Sequence, residues 1–433
     1  MSQPRIVIVG GGAGGIELAT RLGRSLGRRG KADITLVDRN PMHIWKPLLH
    51  EVAVGAIDTD IDQVSYLSHS HANGYRFQLG NLDSLDREGR RIGLAPIHDD
   101  EGELILPERH VDYDYLVLAL GSISNDFGTP GVRDNCFMLD SPQQAEKFRQ
   151  EMLNTFLRKT SNLSGKEDEE LSVAIVGAGA TGVELSAELF SAMDMLSSYN
   201  GHDFPRSRLR VHIIEAAPRI LPALGERISE NVYRQLEALG VKIHTNTMVS
   251  SADEKGFVTV EGERVDADLM VWAAGVKGPE ILSKLGLSTR PNNQINVEQS
   301  LVSVDDPRIF AIGDCAACPQ PGDKLVPPRA QSAHQMASQL VKNLKNAMAG
   351  KELAPYVYKD MGSLVSLSHF QTFGSLMNGR SLRGLFVEGW VAKLSYTSLY
   401  RMHQLAIYGW PRTVAKVIVD RLNRWLRPKL KLH

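Results

Sequence analysis

The chain is poor in cysteine: three in 433 residues, Cys136, Cys315 and Cys318. Three thiols build no disulfide framework, so a reducing compartment is expected. Also missing is any run of the roughly 18 to 20 unbroken apolar residues that a membrane-spanning helix needs. No charged-then-apolar leader stands before Arg5, so a body on the cytoplasmic side is expected. The formal net charge is −1, which draws no polyanion to the molecule as a whole, and no nucleic-acid partner is expected. No Ser/His/Asp-like arrangement is visible, which argues against hydroxyl-nucleophile chemistry. Cys315 and Cys318 have no second pair to complete a zinc site and do not open a βαβ unit. They are read as structural, and no metal site is expected.

What the chain does have begins at once. Ile6 to Val9 is a short apolar run that leads into Gly10-Gly11-Gly12-Ala13-Gly14-Gly15. An amphipathic segment and a second apolar run, Ile34 to Val37, follow and end on Asp38. The order strand, glycine turn, helix, strand, acid has a physical logic. Gly10 allows the tight turn, Gly12 lets the backbone approach a pyrophosphate, and Gly15 lets helix and sheet pack closely. The helix N-terminus offers N–H groups and partial positive charge to phosphates. Asp38 is placed to accept the hydroxyls of an adenosine ribose.

The theme returns after a helical segment at 141–160 and a polar spacer, Ser161 to Glu170. Leu171 to Val176 runs into Gly177-Ala-Gly179-Ala-Thr-Gly182, and a second strand, Leu209 to Ile214, ends on Glu215. The long loop from Ser197 to Arg208 stretches the interval but leaves the order intact. Each unit also carries an alternating stretch read as an antiparallel meander, Tyr75 to Asp112 and Val241 to Ala267. Each closes on an apolar strand ending in glycine, at Gly121 and Gly275. This duplication predicts an α/β fold with two Rossmann-like dinucleotide-binding domains. A third apolar strand, Ile309 to Ile312, ends on Gly313-Asp314, where a carboxylate can accept from a polyol such as a ribityl chain.

Together these parts resemble a pyridine-nucleotide:flavin oxidoreductase with two dinucleotide-binding domains. Ala330-Gln331-Ser332-Ala333-His334-Gln335 matches the AQxAxQ pattern of type II NADH:quinone oxidoreductases. Tyr356 to Ser368 and the terminal Pro428 to His433 resemble the respiratory NADH dehydrogenases of gram-negative bacteria. The resemblance implies FAD, bound without a covalent link, on Gly10, Gly12, Gly15, Asp38, Gly313 and Asp314, with the strip 43–47, Lys46 included, near the flavin. It implies NADH on Gly177, Gly179, Gly182 and Glu215, and a membrane quinone beside Gln331 and Gln335. Glu184 and Lys393 are the implied catalytic residues, and a homodimer is implied. Glu184, His334 and Lys393 are candidate proton relays, with His334 read as a neighbour of the site. The implied domains are 1–140 (FAD, first part), 141–290 (NADH), 291–379 (FAD, second part, with the quinone-site helix) and 380–433 (membrane anchor).

Hydride transfer between stacked rings needs no protein acid or base, which accounts for the missing triad. Glu215 favours NADH, because a carboxylate there accepts the 2′-hydroxyl and repels a 2′-phosphate, although Arg219 lies close. Two alternatives stay open: sulfide:quinone oxidoreduction through Cys136 with Cys315 or Cys318, and a non-catalytic NADH-sensing flavoprotein.

Charge is unevenly spread. From Arg380 to His433 there are 11 Lys and Arg against 2 Asp and Glu, leaving 38 against 48 before it, so a +9 tail follows a −10 body. Val414, Val417, Ile418, Leu422, Trp425 and Leu426 share one helical face, with Lys416, Asp420, Arg424 and Arg427 opposite. Pro411 and Pro428 are placed to bound that helix, and Trp390, Trp410 and Trp425 all lie in the tail. Basic residues and interfacial aromatics on amphipathic helices predict an in-plane anchor on the anionic lipid of a cell inner membrane, cytoplasmic side.

Overall fold

The computed structural model describes residues 3–57, 59–161, 169–200, 206–376 and 385–426. In chain order the first unit supplies β1 (Arg5–Val9), α1 (Ala13–Ser25), β2 (Asp33–Asp38), β3 (Arg76–Leu79) and β4 (Tyr115–Leu118). Helix α2 (Pro142–Thr160) leads to the second unit: β5 (Leu171–Val176), α3 (Ala180–Asn200), β6 (Leu209–Ile214), α4 (Glu226–Leu239), β7 (Lys242–His244) and β8 (Leu269–Trp272). The remainder holds β9 (Ile309–Ala311), α5 (Ala330–Met348), β10 (Gly362–Leu367), β11 (Gln371–Leu376), β12 (Leu385–Glu388), α6 (Gly389–Tyr408) and α7 (Trp410–Leu426).

Both units are parallel sheets, ordered β9-β4-β1-β2-β3 and β7-β6-β5-β8. Ile6, Val7, Ile8 and Val9 are all buried, as a parallel strand covered on both faces requires. The expected meanders need one correction each. Arg76–Leu79 and Lys242–His244 are the outer parallel strands β3 and β7, and antiparallel pairing starts only at Leu82 and Val249. The chain crosses between units where Ile123–Ser124 pairs antiparallel with Val276–Lys277.

Sequence patterning did not reveal the antiparallel sheet β10-β11-β12. Val365, Leu367 and Phe373 from it join the core of the second unit. This sheet and α6 lie against the glycine-turn helices of both units, packing on α3 and α1 respectively.

Helix α7 faces the opposite way from a normal surface helix. Its polar residues Lys416 and Asp420 are turned inward: Lys416 pairs with Asp62 and Asp420, and Arg401 of α6 donates to Asp420 at 2.8 Å. Val414, Ile418, Val419 and Leu422 are exposed, and so are Trp390, Leu394 and Leu405 of α6 and Trp410 of α7. Gly409, at φ +80°, allows the turn between the two helices. The side chains of Arg424, Trp425 and Leu426, residues 427–433 with Pro428, and most of the 161–170 spacer lie outside the described residues.

Candidate active site

Each glycine turn is closed by the acid ending its second strand. Asp38 accepts the Gly11 N–H at 2.6 Å and the Asn40 N–H at 2.8 Å. Glu215 accepts the Ala178 N–H at 2.7 Å and the Ala217 N–H at 2.8 Å. The turns tolerate only glycine at their closing position: a Cβ on Gly15 would stand 1.8 Å from the Gly10 carbonyl oxygen, and one on Gly182 would stand 2.1 Å from that of Gly177. At Gly12 and Gly179 a Cβ would meet nothing within 4 Å, so the approach to both helix N-termini is open. Helix α1 has no side-chain cap and no acid in its first turn. Its end is therefore free to receive an anion, and the residues present fit a dinucleotide.

A cavity of about 1190 Å³ runs from the second turn, past Gly177, Gly179 and Glu215, to Trp45, Pro47 and Leu48, then to Arg329 and Gln331 at the start of α5. Tyr396, Tyr400 and His403 of α6 complete its wall. Lys46, beside that strip, donates to the Ser122 carbonyl at 2.7 Å, and the Ser122 hydroxyl donates to Asp314 at 2.8 Å. Lys46 and Asp314 thus belong to one polar cluster, where burial raises the pKa of Asp314 against the pull of Ser122 and Lys46. A smaller cavity, about 220 Å³, adjoins Asp314 and Gln294.

Glu184 sits just past the first turn of α3, on the cavity wall. It accepts the Ser366 N–H of β10 at 3.1 Å, and His50 lies 3.7 Å away. Burial lifts its pKa to about 8, so it holds its proton at neutral pH. One turn on, Glu188 accepts the Ser368 hydroxyl at 2.9 Å and feels the charge of Lys393.

Two expected positions need correction. Gln331 lines the cavity, but Gln335 does not; its amide grips the Lys359 backbone at 2.8 and 3.1 Å instead. An i, i+4 pair shares a helix face, yet the 356–362 segment covers half of this one. Lys393 is exposed and off the cavity, because the face of α6 that meets the cavity carries Ser395, Tyr396 and Leu399. Arg219 is tied to the carbonyls of Leu221 and Pro222, which leaves Glu215 as the side chain that meets the cavity. None of the three cysteines lines the cavity, and burial pushes their thiols up to about 12, 11 and 11.

The pyridine nucleotide-disulphide oxidoreductase family matches residues 4–337. The type II NADH:quinone oxidoreductase of Haemophilus influenzae is 46% identical over 441 residues, covering 99% of each chain. The chain belongs to the type II NADH:quinone oxidoreductases. The protein of that name from Staphylococcus aureus is 28% identical over 390 residues, 89% of this chain and 92% of its own. Among solved structures, NDH2 from Plasmodium falciparum in complex with NADH superimposes with a TM-score of 0.82 at 20% identity, covering 99% of this chain and 100% of the other.

As a type II NADH:quinone oxidoreductase the chain also holds residues that motif reasoning passed over. Glu17 of α1 and His403 of α6 both line the cavity, and with His334 they form one hydrogen-bonded group. The signal for Glu17 was in the duplication: it stands two residues past Gly15, as Glu184 stands two past Gly182. Nothing local marks His403.

Proposed function

We propose that the chain oxidises NADH and reduces a membrane quinone to quinol without moving protons across the membrane. One cavity carries this reading: it joins the second glycine turn to Gln331 and to α6, whose outer face is apolar and exposed. FAD would be held by Gly10, Gly12, Gly15, Asp38, Gly313 and Asp314, with Lys46 nearby, and would accept the hydride and release its two electrons and proton. Gly177, Gly179, Gly182 and Glu215 would hold NADH. The chain's own work is orientation and exclusion of water, with Gln331 placing the quinone and Gln335 keeping the covering segment closed. Glu184 is the neutral acid of the site, and Lys393 acts on its neighbour Glu188.

The division at 140, 290 and 379 is proposed for the domains, with 380–433 as the anchor. Among the described residues, no helix is long and apolar enough to cross a membrane. Turning Val414, Ile418 and Leu422 outward costs free energy in water and gains it in lipid, so α6 and α7 are read as lying in the interface of the inner membrane. The exposed Lys393, Arg412 and Arg421 face anionic headgroups in that setting, on the cytoplasmic side. A homodimer belongs to the same reading.

The test is steady-state turnover of the purified flavoprotein with a short-chain ubiquinone. NADH is expected to drive fast reduction, NADPH little and sulfide none. Sulfide-driven turnover, or a pure preparation without flavin, overturns the proposal. Ile418→Asp is expected to release the protein from anionic vesicles while the soluble quinone is still reduced.

A further inference from the structure

Helix α1 carries a carboxylate that the reading above leaves without a role. The Glu17 side chain is 0% exposed. His334 Nδ1 lies 2.6 Å from its Oε2, and His403 Nδ1 lies 2.8 Å from its Oε1. On its other side His403 Nε2 is 2.9 Å from His43 Nε2, and His43 Nδ1 is 2.9 Å from the Gly11 carbonyl oxygen. Four titratable side chains from four segments thus form one chain that starts at the first glycine turn and ends in the cavity.

The partners assign the hydrogens. A carbonyl only accepts, so His43 carries its hydrogen on Nδ1 and presents a bare Nε2 to His403. His403 must therefore donate from Nε2. Its Nδ1 faces a carboxylate oxygen, and that contact needs one further hydrogen, on the imidazole or on Glu17. Filling every one of these contacts gives the pair one proton more than a carboxylate and a neutral imidazole, against the burial that lowers His403 and with the bond and charge of Glu17 that raise it. Burial pushes His43 down to about 3, which keeps it neutral. Burial alone would raise the Glu17 carboxyl, but the bonds and charge of His334 and His403 outweigh it and hold it below the usual range. Arg21, 3.5 Å from Oε2, adds positive charge on the same side, and His69 lies behind His43.

We propose that Glu17, His334 and His403 are the proton store for quinone reduction, and that His334 hands a proton to the quinone oxygen. This rests on the reading that the cavity takes a quinone. Quinone becomes quinol by taking two electrons, those surrendered by NADH, and two protons. The store supplies one proton, and the other is the one that arrives with the two electrons in the hydride of NADH. In the loaded state His334 carries hydrogen on both nitrogens. Its Nε2–H bond breaks, an O–H bond forms on the quinone, and a neutral imidazole remains, bonded through Nδ1–H to Glu17. His334, 24% exposed, reloads from water. Glu17 is a positioning residue: it stabilises the imidazolium and fixes the ring, and His403 keeps its second oxygen satisfied.

The test compares two acceptors on the flavin-loaded enzyme with NADH: a short-chain ubiquinone, which needs protons, and ferricyanide, which takes electrons alone. Glu17→Gln and His334→Gln are each expected to cut quinone turnover about 10²-fold, the range for losing a positioned proton donor. Ferricyanide turnover should stay as in the wild type. Glu17→Asp should recover part of the loss, and the alkaline limb of the wild-type pH profile should move in Glu17→Gln. Full quinone turnover in both Gln variants overturns the proposal. Equal losses with ferricyanide overturn it as well, because the group is then structural. If Glu17→Gln does not fold, His334→Gln, at the rim of the cavity, decides by the same ratio. A wild-type enzyme that reduces ferricyanide but no quinone instead sinks the functional reading, before any variant is compared.

Discussion

Glu17 and Glu184 hold the same place in two copies of one motif, two residues past the third glycine, yet they differ in charge. Both are the fifth residue of their helix, just past its first turn, and both are buried. Glu17 meets two imidazoles from α5 and α6, and their hydrogen bonds and charge overcome burial. Glu184 meets a backbone N–H and the Tyr396 hydroxyl, with Glu51 and Glu188 adding negative charge nearby. Its histidine neighbour, His50, is itself pushed down to about 4 by burial and brings no positive charge at neutral pH. Burial therefore wins at Glu184 and loses at Glu17. The motif decides that a carboxyl stands there, and the C-terminal third of the chain decides what it carries.

Removing one partner should break the comparison most severely. Glu17→Ala leaves two imidazoles facing a gap, and breaking a buried pair typically costs about 3 to 5 kcal/mol. A urea unfolding midpoint at pH 7 measures this, and the difference should shrink as the pH falls and Glu17 protonates in the wild type. Glu184→Gln should do the opposite. Below pH 4.5 the Glu184 carboxyl is protonated folded and unfolded; between there and about pH 8 only the unfolded chain releases the proton. The wild type should then lose stability at up to about 1.4 kcal/mol per pH unit over that window, levelling above it. The Gln variant should lack that slope, and parallel slopes in the two proteins would refute a protonated Glu184.

A third variant tests whether the second unit keeps its nucleotide preference through Glu215. Glu215→Gln removes a charge-assisted acceptor, so KM for NADH should rise about tenfold and discrimination against NADPH should fall. The smallest effect is expected at Gln335. Gln335→Ala gives up two bonds to the Lys359 backbone, about 1 kcal/mol each, and should lower the thermal midpoint with little change in quinone KM. Gln331→Ala should show the reverse pattern.

Much of the fold was legible because its signals are local. Ile6 to Asp38 and Leu171 to Glu215 read directly as strand, turn and helix, since each glycine answers a steric demand made within a few residues of it. The outer strands β3 and β7 were misread because they are edge strands with too few apolar residues to show a buried run. The sheet β10-β11-β12 escaped because two of its three strands flank a segment of weak patterning, and its apolar side chains are paired with another unit's core. On α7 the amphipathic face was readable from Val414 to Leu422. Which side faced the body was not, because that depends on where Asp62 and Arg401 stand.

By itself the sequence determined two glycine turns, the acids that close them, and a carboxyl two residues beyond each, because these are set by backbone sterics and hydrogen bonds over short distances. Only the tertiary structure decided that His334 and His403, 317 and 386 residues from Glu17, would reach its two oxygens. Charge on a buried group depends on the partners that folding assembles around it, and no spacing along the chain carries that information.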